Sequence, residues 1–246
     1  LRESLPPKQR EPSLSLGRDH LGLNLLAQGK YAEADETIRR ALADTPADDP
    51  EARARRLGYS GRYLHTMGNH ARAVATFQEA LALPFPNPEL KLSLESQLAL
   101  ARLRLGKTAE AREGMEKAAN DAAALYAGEM TAFHAAPYLN NLGALDLAMG
   151  DALQAHAAFA EALQMLEQSL GTDHPSLIPL LNNLGCADQA AGNYDSAEQS
   201  FRRAAELQAK YLPPLHLRVA ETARNLARNA VLSGKQDALA EIDRAS

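Results

Sequence analysis

Three asparagines, Asn141, Asn183 and Asn225, stand at equal intervals along the chain, and Asn140 and Asn182 precede two of them at the same interval. A side-chain amide carries both N–H donors and a carbonyl acceptor, which suits the backbone of an extended peptide. A plainer reading is open for each residue taken singly: an asparagine can recur because it belongs to a repeat and bonds a neighbouring helix end. Three in register favour peptide binding for the ladder as a whole.

Other side chains that could do chemistry lack companions. His174 and His216 are separated by that same interval, but both fall between periodic segments, with no second ligand at helical or hairpin spacing. His65 and His70 span a turn, and His134 and His156 fall on different helices, so no metal site is expected. Asp173-His174-Pro175 reads instead as a helix start, with Asp173 capping free amides and Pro175 in the first turn. Cys186 is the only cysteine, which excludes an intrachain disulfide and a multi-thiolate zinc site. A small, half-buried structural role is expected for it. There is no Gly-x-Ser-x-Gly turn, no phosphate loop and no paired-carboxylate cleft. The expectation is a chain that is not an enzyme and carries no cofactor.

Composition narrows the class. Of 246 residues 46% are hydrophobic and 5% aromatic, with no tryptophan and heavy use of alanine and leucine. That mixture favours helix over strand, and the fold class expected is all-α. A net charge of -5 gives no footprint for nucleic acid. The acidity is concentrated: residues 131–212 hold nine Asp or Glu against Arg202, Arg203 and Lys210. No apolar run approaches the roughly 20 residues of a membrane helix, so no direct membrane insertion is expected. The chain begins at Leu1 with no visible signal peptide. A soluble chain is expected, cytoplasmic by default and periplasmic if it is an excised receptor domain of a longer protein.

The elements that must position the asparagines repeat with them. Leu139-Asn140-Asn141-Leu142-Gly143 returns as Leu181-Asn182-Asn183-Leu184-Gly185, and Ala155, Phe159 and Ala162 return as Ala197, Phe201 and Ala204, every one displaced by the same step. A fixed period of this size marks a stacked array of helix-turn-helix units. Residues 1–13 read as a proline-rich linker. Six helix pairs follow at roughly 14–50, 51–88, 89–130, 131–173, 174–214 and 215–246, the last ending in a short capping helix near 236–245. Small residues in the first helix admit the second, and Phe77, Phe159 or Phe201 fills the space they leave.

The set Leu-Gly, a turn glycine, then Ala, Phe and Ala resembles the tetratricopeptide repeat over residues 14–246. The spacing from Asn141 to Asn183 to Asn225 with Leu-Asn-Asn-Leu-Gly, and Leu170-Gly171-Thr172-Asp173-His174-Pro175 before the next pair, looks like its kinesin light chain subtype. Asp146 and Asp188 depart from it, standing where that family usually has Tyr. They are expected to accept hydrogen bonds between repeats, with a basic ligand as the other option. The resemblance implies a right-handed superhelix whose first helices line a concave groove. On that face it places Arg55, Tyr59 and Arg62 in the second pair and Ser96, Gln97 and Arg104 in the third. Asn140 and Asn141 follow in the fourth, Asn182, Asn183 and Cys186 in the fifth, and Arg224, Asn225 and Arg228 in the sixth. The family's two-carboxylate clamp for chaperone tails is absent, since its basic partners are missing.

The expected function is a scaffold that captures an extended protein segment, the asparagines pairing with its backbone and the arginines favouring acidic ends. The subtype also occurs in bacterial signalling proteins, including serine/threonine kinases, so a sensory or regulatory domain of such a protein is the alternative. Homo-oligomerisation through an array surface is compatible with both.

Overall fold

The structure is a computed structural model describing residues 21–126, 131–213 and 216–234, of which 131–133 are described by their backbone only. Residues 21–27 are helical (α1). Ten further helices follow: Tyr31–Ala43 (α2), Pro50–Thr66 (α3), His70–Leu81 (α4), Pro88–Arg104 (α5), Thr108–Leu125 (α6), Thr131–Met149 (α7), Ala152–Leu170 (α8), Ile178–Ala190 (α9), Tyr194–Tyr211 (α10) and Leu217–Leu232 (α11). A 3-10 turn, Pro175–Leu177, leads into α9. No strand occurs among the described residues, so the chain is all-α. The linker expected at 1–13 and the capping helix expected at 236–245 lie outside the described residues.

Two compact bodies divide the chain between Gly114 and Met115, inside α6. In the N-terminal body α3 packs on α4 and α4 on α5, around Ala54, Leu57, Ala73, Phe77, Ala80, Leu94 and Leu98. In the C-terminal body α7 packs on α8, α8 on α9, α9 on α10 and α10 on α11. Its core gathers Ala155, Phe159, Ala162, Leu177, Ile178, Leu181 and Ala204. Odd-numbered helices are the first of each pair and even-numbered helices the second. Gly150 and Gly192, with φ of 87° and 81°, make the turns within the two most similar pairs, a backbone region closed to most side chains.

Helix starts follow from capping. The side-chain oxygens of Asp49, Asn87 and Asp151 accept from the N–H groups of Ala52, Leu90 and Gln154, each satisfying an amide that the helix itself cannot. At the fifth pair the expected cap is corrected. His174, not Asp173, accepts from the Ser176 N–H at 3.2 Å through Nδ1, and His216 does the same for Arg218 at 3.2 Å. Asp173 instead forms an ion pair with Lys210. Both His174 and His216 are thus occupied as structural caps.

Within each pair the close approach is extreme. A Cβ placed on Gly143 would lie 2.7 Å from the Phe159 ring, and one on Gly185 would lie 2.6 Å from that of Phe201. Both phenylalanines are completely buried, so the ring has no free volume into which to retreat. We therefore expect Gly185→Ala to destabilise the chain by about 1–2 kcal/mol, overpacking outweighing the better helix propensity of alanine. Denaturant midpoints test this. Adding Phe201→Leu should make the double variant more stable than the two single effects predict, because the clash and the cavity cancel in part.

Candidate functional site

The first helices α7, α9 and α11 of the C-terminal body touch in sequence, α7 on α9 and α9 on α11, and their contacts are polar. Asn183 donates from Nδ2 to Oδ1 of Asn140 at 2.8 Å. Asn182 donates to the Ile178 carbonyl at 3.2 Å and accepts from the Thr222 hydroxyl at 2.8 Å. Asn225 directs its Nδ2 at Sγ of Cys186, 3.7 Å away. Apart from the Asn182–Ile178 bond within α9, these contacts tie each first helix to the next. All five asparagines are half-buried. An amide offers two donors and an acceptor, more than a single contact uses.

A deeper polar layer was not legible from the ladder. Gln189 donates to Asn229 at 3.2 Å, and Asn229 donates to the Tyr194 carbonyl at 2.8 Å. Gln208 donates to the Arg218 carbonyl at 3.0 Å and to the Thr222 hydroxyl at 2.8 Å. Thr222, Asn229, Gln208 and Gln189 are all buried. One signal could have found them. One repeat earlier the same places hold Leu180, Ala187, Leu166 and Leu147, so these residues are polar exceptions at apolar positions of the repeat.

The two exceptional aspartates are also interior, Asp146 at 1% exposure and Asp188 at 2%. Asp188 lies 2.8 Å from Nδ1 of His156 and so bonds α9 to α8, the inter-repeat role expected of it.

Arg224 and Arg228 are exposed one turn apart on α11. Both act on Cys186, whose thiol is pushed above its ordinary pKa because burial outweighs the two positive charges. The thiol is therefore protonated at neutral pH, without the character of an activated nucleophile. In the N-terminal body Arg55 is held by Glu51 at 2.7 Å, and Glu51 also accepts from Asn87 at 3.0 Å. The charge of Arg55 is thus paired within its own helix. Tyr59 is half-buried and Arg62 exposed, while Ser96, expected on an open face, is buried. Burial, with the charges of His70 and Arg104 beside it, holds the His65 imidazole below the usual histidine pKa.

Among the described residues no group of three or more His, Cys, Asp or Glu is placed to hold a metal ion. No described helix is long and apolar enough to cross a membrane.

Thr222 is the joint between the two polar layers. Thr222→Val keeps its shape but removes the hydroxyl that bonds one Gln208 N–H and the Asn182 Oδ1, and should cost about 1–3 kcal/mol. Asn183→Ala, which breaks one half-exposed bond, should cost less; urea unfolding of the two variants provides the comparison.

Residues 134–210 match the tetratricopeptide repeat family. No curated protein sequence matches the chain. Among solved structures, BtubC (BKLC) from P. vanneervenii is similar at 22% identity, covering 88% of each chain with a TM-score of 0.66. The putative kinesin light chain of Podosopora anserina, with nearly identical TPR-like repeats, is 22% identical over 80% of this chain and 94% of its own, with a TM-score of 0.67. A Rap protein complexed with Competence and Sporulation Factor is 16% identical over 98% of this chain and 70% of its own, with a TM-score of 0.65. Residues 134–210 thus carry the tetratricopeptide repeat, and the chain shares its helical-repeat fold with solved structures that include a putative kinesin light chain.

Proposed function

We propose that the chain is a protein-interaction scaffold that captures an extended, acidic segment on the first-helix face of its C-terminal body. The observation carrying this reading is the end of that face at α11. Arg224 and Arg228 stand exposed there, beside the half-buried Asn225 and Cys186. Exposed Glu221, one turn before Arg224, leaves the group net positive. An acidic side chain or carboxylate would be steered to the arginines, whose planar guanidinium groups donate two parallel hydrogen bonds to such oxygens. The asparagines would then meet the backbone with the donors and acceptors not used between helices. The placement of Asn140, Asn141, Asn182 and Asn183 on adjoining first helices supports one continuous run of amides. The Rap protein of similar fold was solved with another molecule bound, which supports binding as the use of such a fold.

The reading is tested by selecting peptides from a random display library on the full chain and measuring their affinity by fluorescence polarisation. Acidic peptides should be enriched. Arg224→Glu with Arg228→Glu should weaken them by roughly tenfold or more, with a clear salt dependence, while Asn225→Ala should have a smaller effect. Neutral or basic winners, or acidic ones that bind the double variant equally well, would refute the proposal.

A further inference from the structure

The N-terminal body holds a pair of histidines that the binding face does not use. His65 lies in the last turn of α3 and His70 is the first residue of α4. The turn between them is firmly built. The Asn69 N–H donates to the Leu64 carbonyl at 2.8 Å, the Gly68 N–H donates to the His65 carbonyl at 3.0 Å, and the Asn69 side chain caps Arg72. This brings the two imidazole centroids to 4.9 Å with the rings tilted by 58°. Nδ1 of each ring is buried and has no hydrogen-bond partner, an arrangement that costs free energy unless something takes up the lone pairs.

We propose that His65 and His70 together bind a divalent transition-metal ion through their Nδ1 atoms. Metal–nitrogen bonds of roughly 2.0–2.1 Å, meeting at angles from about 90° to about 109°, put the centroids of two imidazole ligands roughly 4.5–5.3 Å apart. The observed centroid separation lies inside that window. Neutral imidazoles protonated at Nε2 present the required lone pairs at Nδ1. Imidazole suits copper, nickel and zinc, and Cu(II) should bind most tightly of the three. The protein supplies two ligands and water would fill the other positions, and because both Nδ1 atoms are buried, the side chains around the turn must shift to admit the hydrated ion. Arg104, at the end of α5, adds a positive charge nearby that works against a cation. Its side chain is exposed and its charge screened by solvent. The same three groups taken as a cation cluster would favour an anion, but the buried, unbonded nitrogens are acceptors in the neutral rings and call for a metal ion.

The test is a titration of the untagged full chain with copper(II) chloride alone, followed by amide NMR. Paramagnetic broadening should centre on residues 65–70 and reach Arg104. Apparent affinity should fall roughly tenfold or more in His65→Gln and in His70→Gln, at least the loss seen when a mere outer-shell partner is removed. His174→Gln should leave it unchanged, and circular dichroism melts show whether each variant is folded. Arg104→Gln leaves both ligands in place and should tighten copper binding severalfold. Broadening centred elsewhere, or unaltered by His70→Gln, overturns the site. So does tighter binding of inorganic sulfate than of copper with a loss of that binding in Arg104→Gln, which would show an anion site.

Discussion

The contact between a glycine on the first helix and a phenylalanine on the second sets the spacing on which the rest of the structure depends. Phe159 and Phe201 sit where any Cβ on Gly143 or Gly185 would overlap the ring, and Phe77 meets Gly61 in the same way at 2.6 Å. Burying such a ring contributes about 2–3 kcal/mol. Its larger consequence is geometric, because each first helix is pressed against its partner at a fixed rotation. The opposite side of that helix is then left for its neighbours among the first helices.

That rotation decides which polar residues meet. With α7, α9 and α11 fixed in orientation, Asn140 faces Asn183 and Asn182 faces Thr222. One layer further in, Gln189 bonds Asn229 and Gln208 bonds Thr222, all of them buried. Buried polar groups of this kind add little net stability, since they exchange water for protein partners. They are costly to misplace, so they penalise a slipped register between repeats that are otherwise nearly identical. Asp188 and His156 do the same between α8 and α9.

The charge pattern looks different once burial is known. Residues 131–212 are rich in carboxylates, yet Asp146 and Asp188 are inside, and Asp173 is paired with Lys210. The exposed arginines of α11 therefore act beside fewer open negative charges than the sequence count implies. In the N-terminal body Arg55 is paired with Glu51 one turn before it.

The helix pairs, their turn glycines and the phenylalanine positions were legible in the sequence because they are local and periodic. A repeat writes the same packing constraint again in each copy, at Gly143 with Phe159 and again at Gly185 with Phe201, and comparing one copy with the next exposes it. The recurrence of Asn141, Asn183 and Asn225 was equally plain, and so was the exceptional status of Asp188. What those side chains bond was decided by the tertiary structure alone. A hydrogen bond depends on the partner's distance and direction to within a few tenths of an ångström, and periodicity carries neither. His174 took the capping role expected of Asp173 for that reason. That His65 and His70 span a turn was legible too, but that both Nδ1 atoms end up buried and unbonded was decided by the structure.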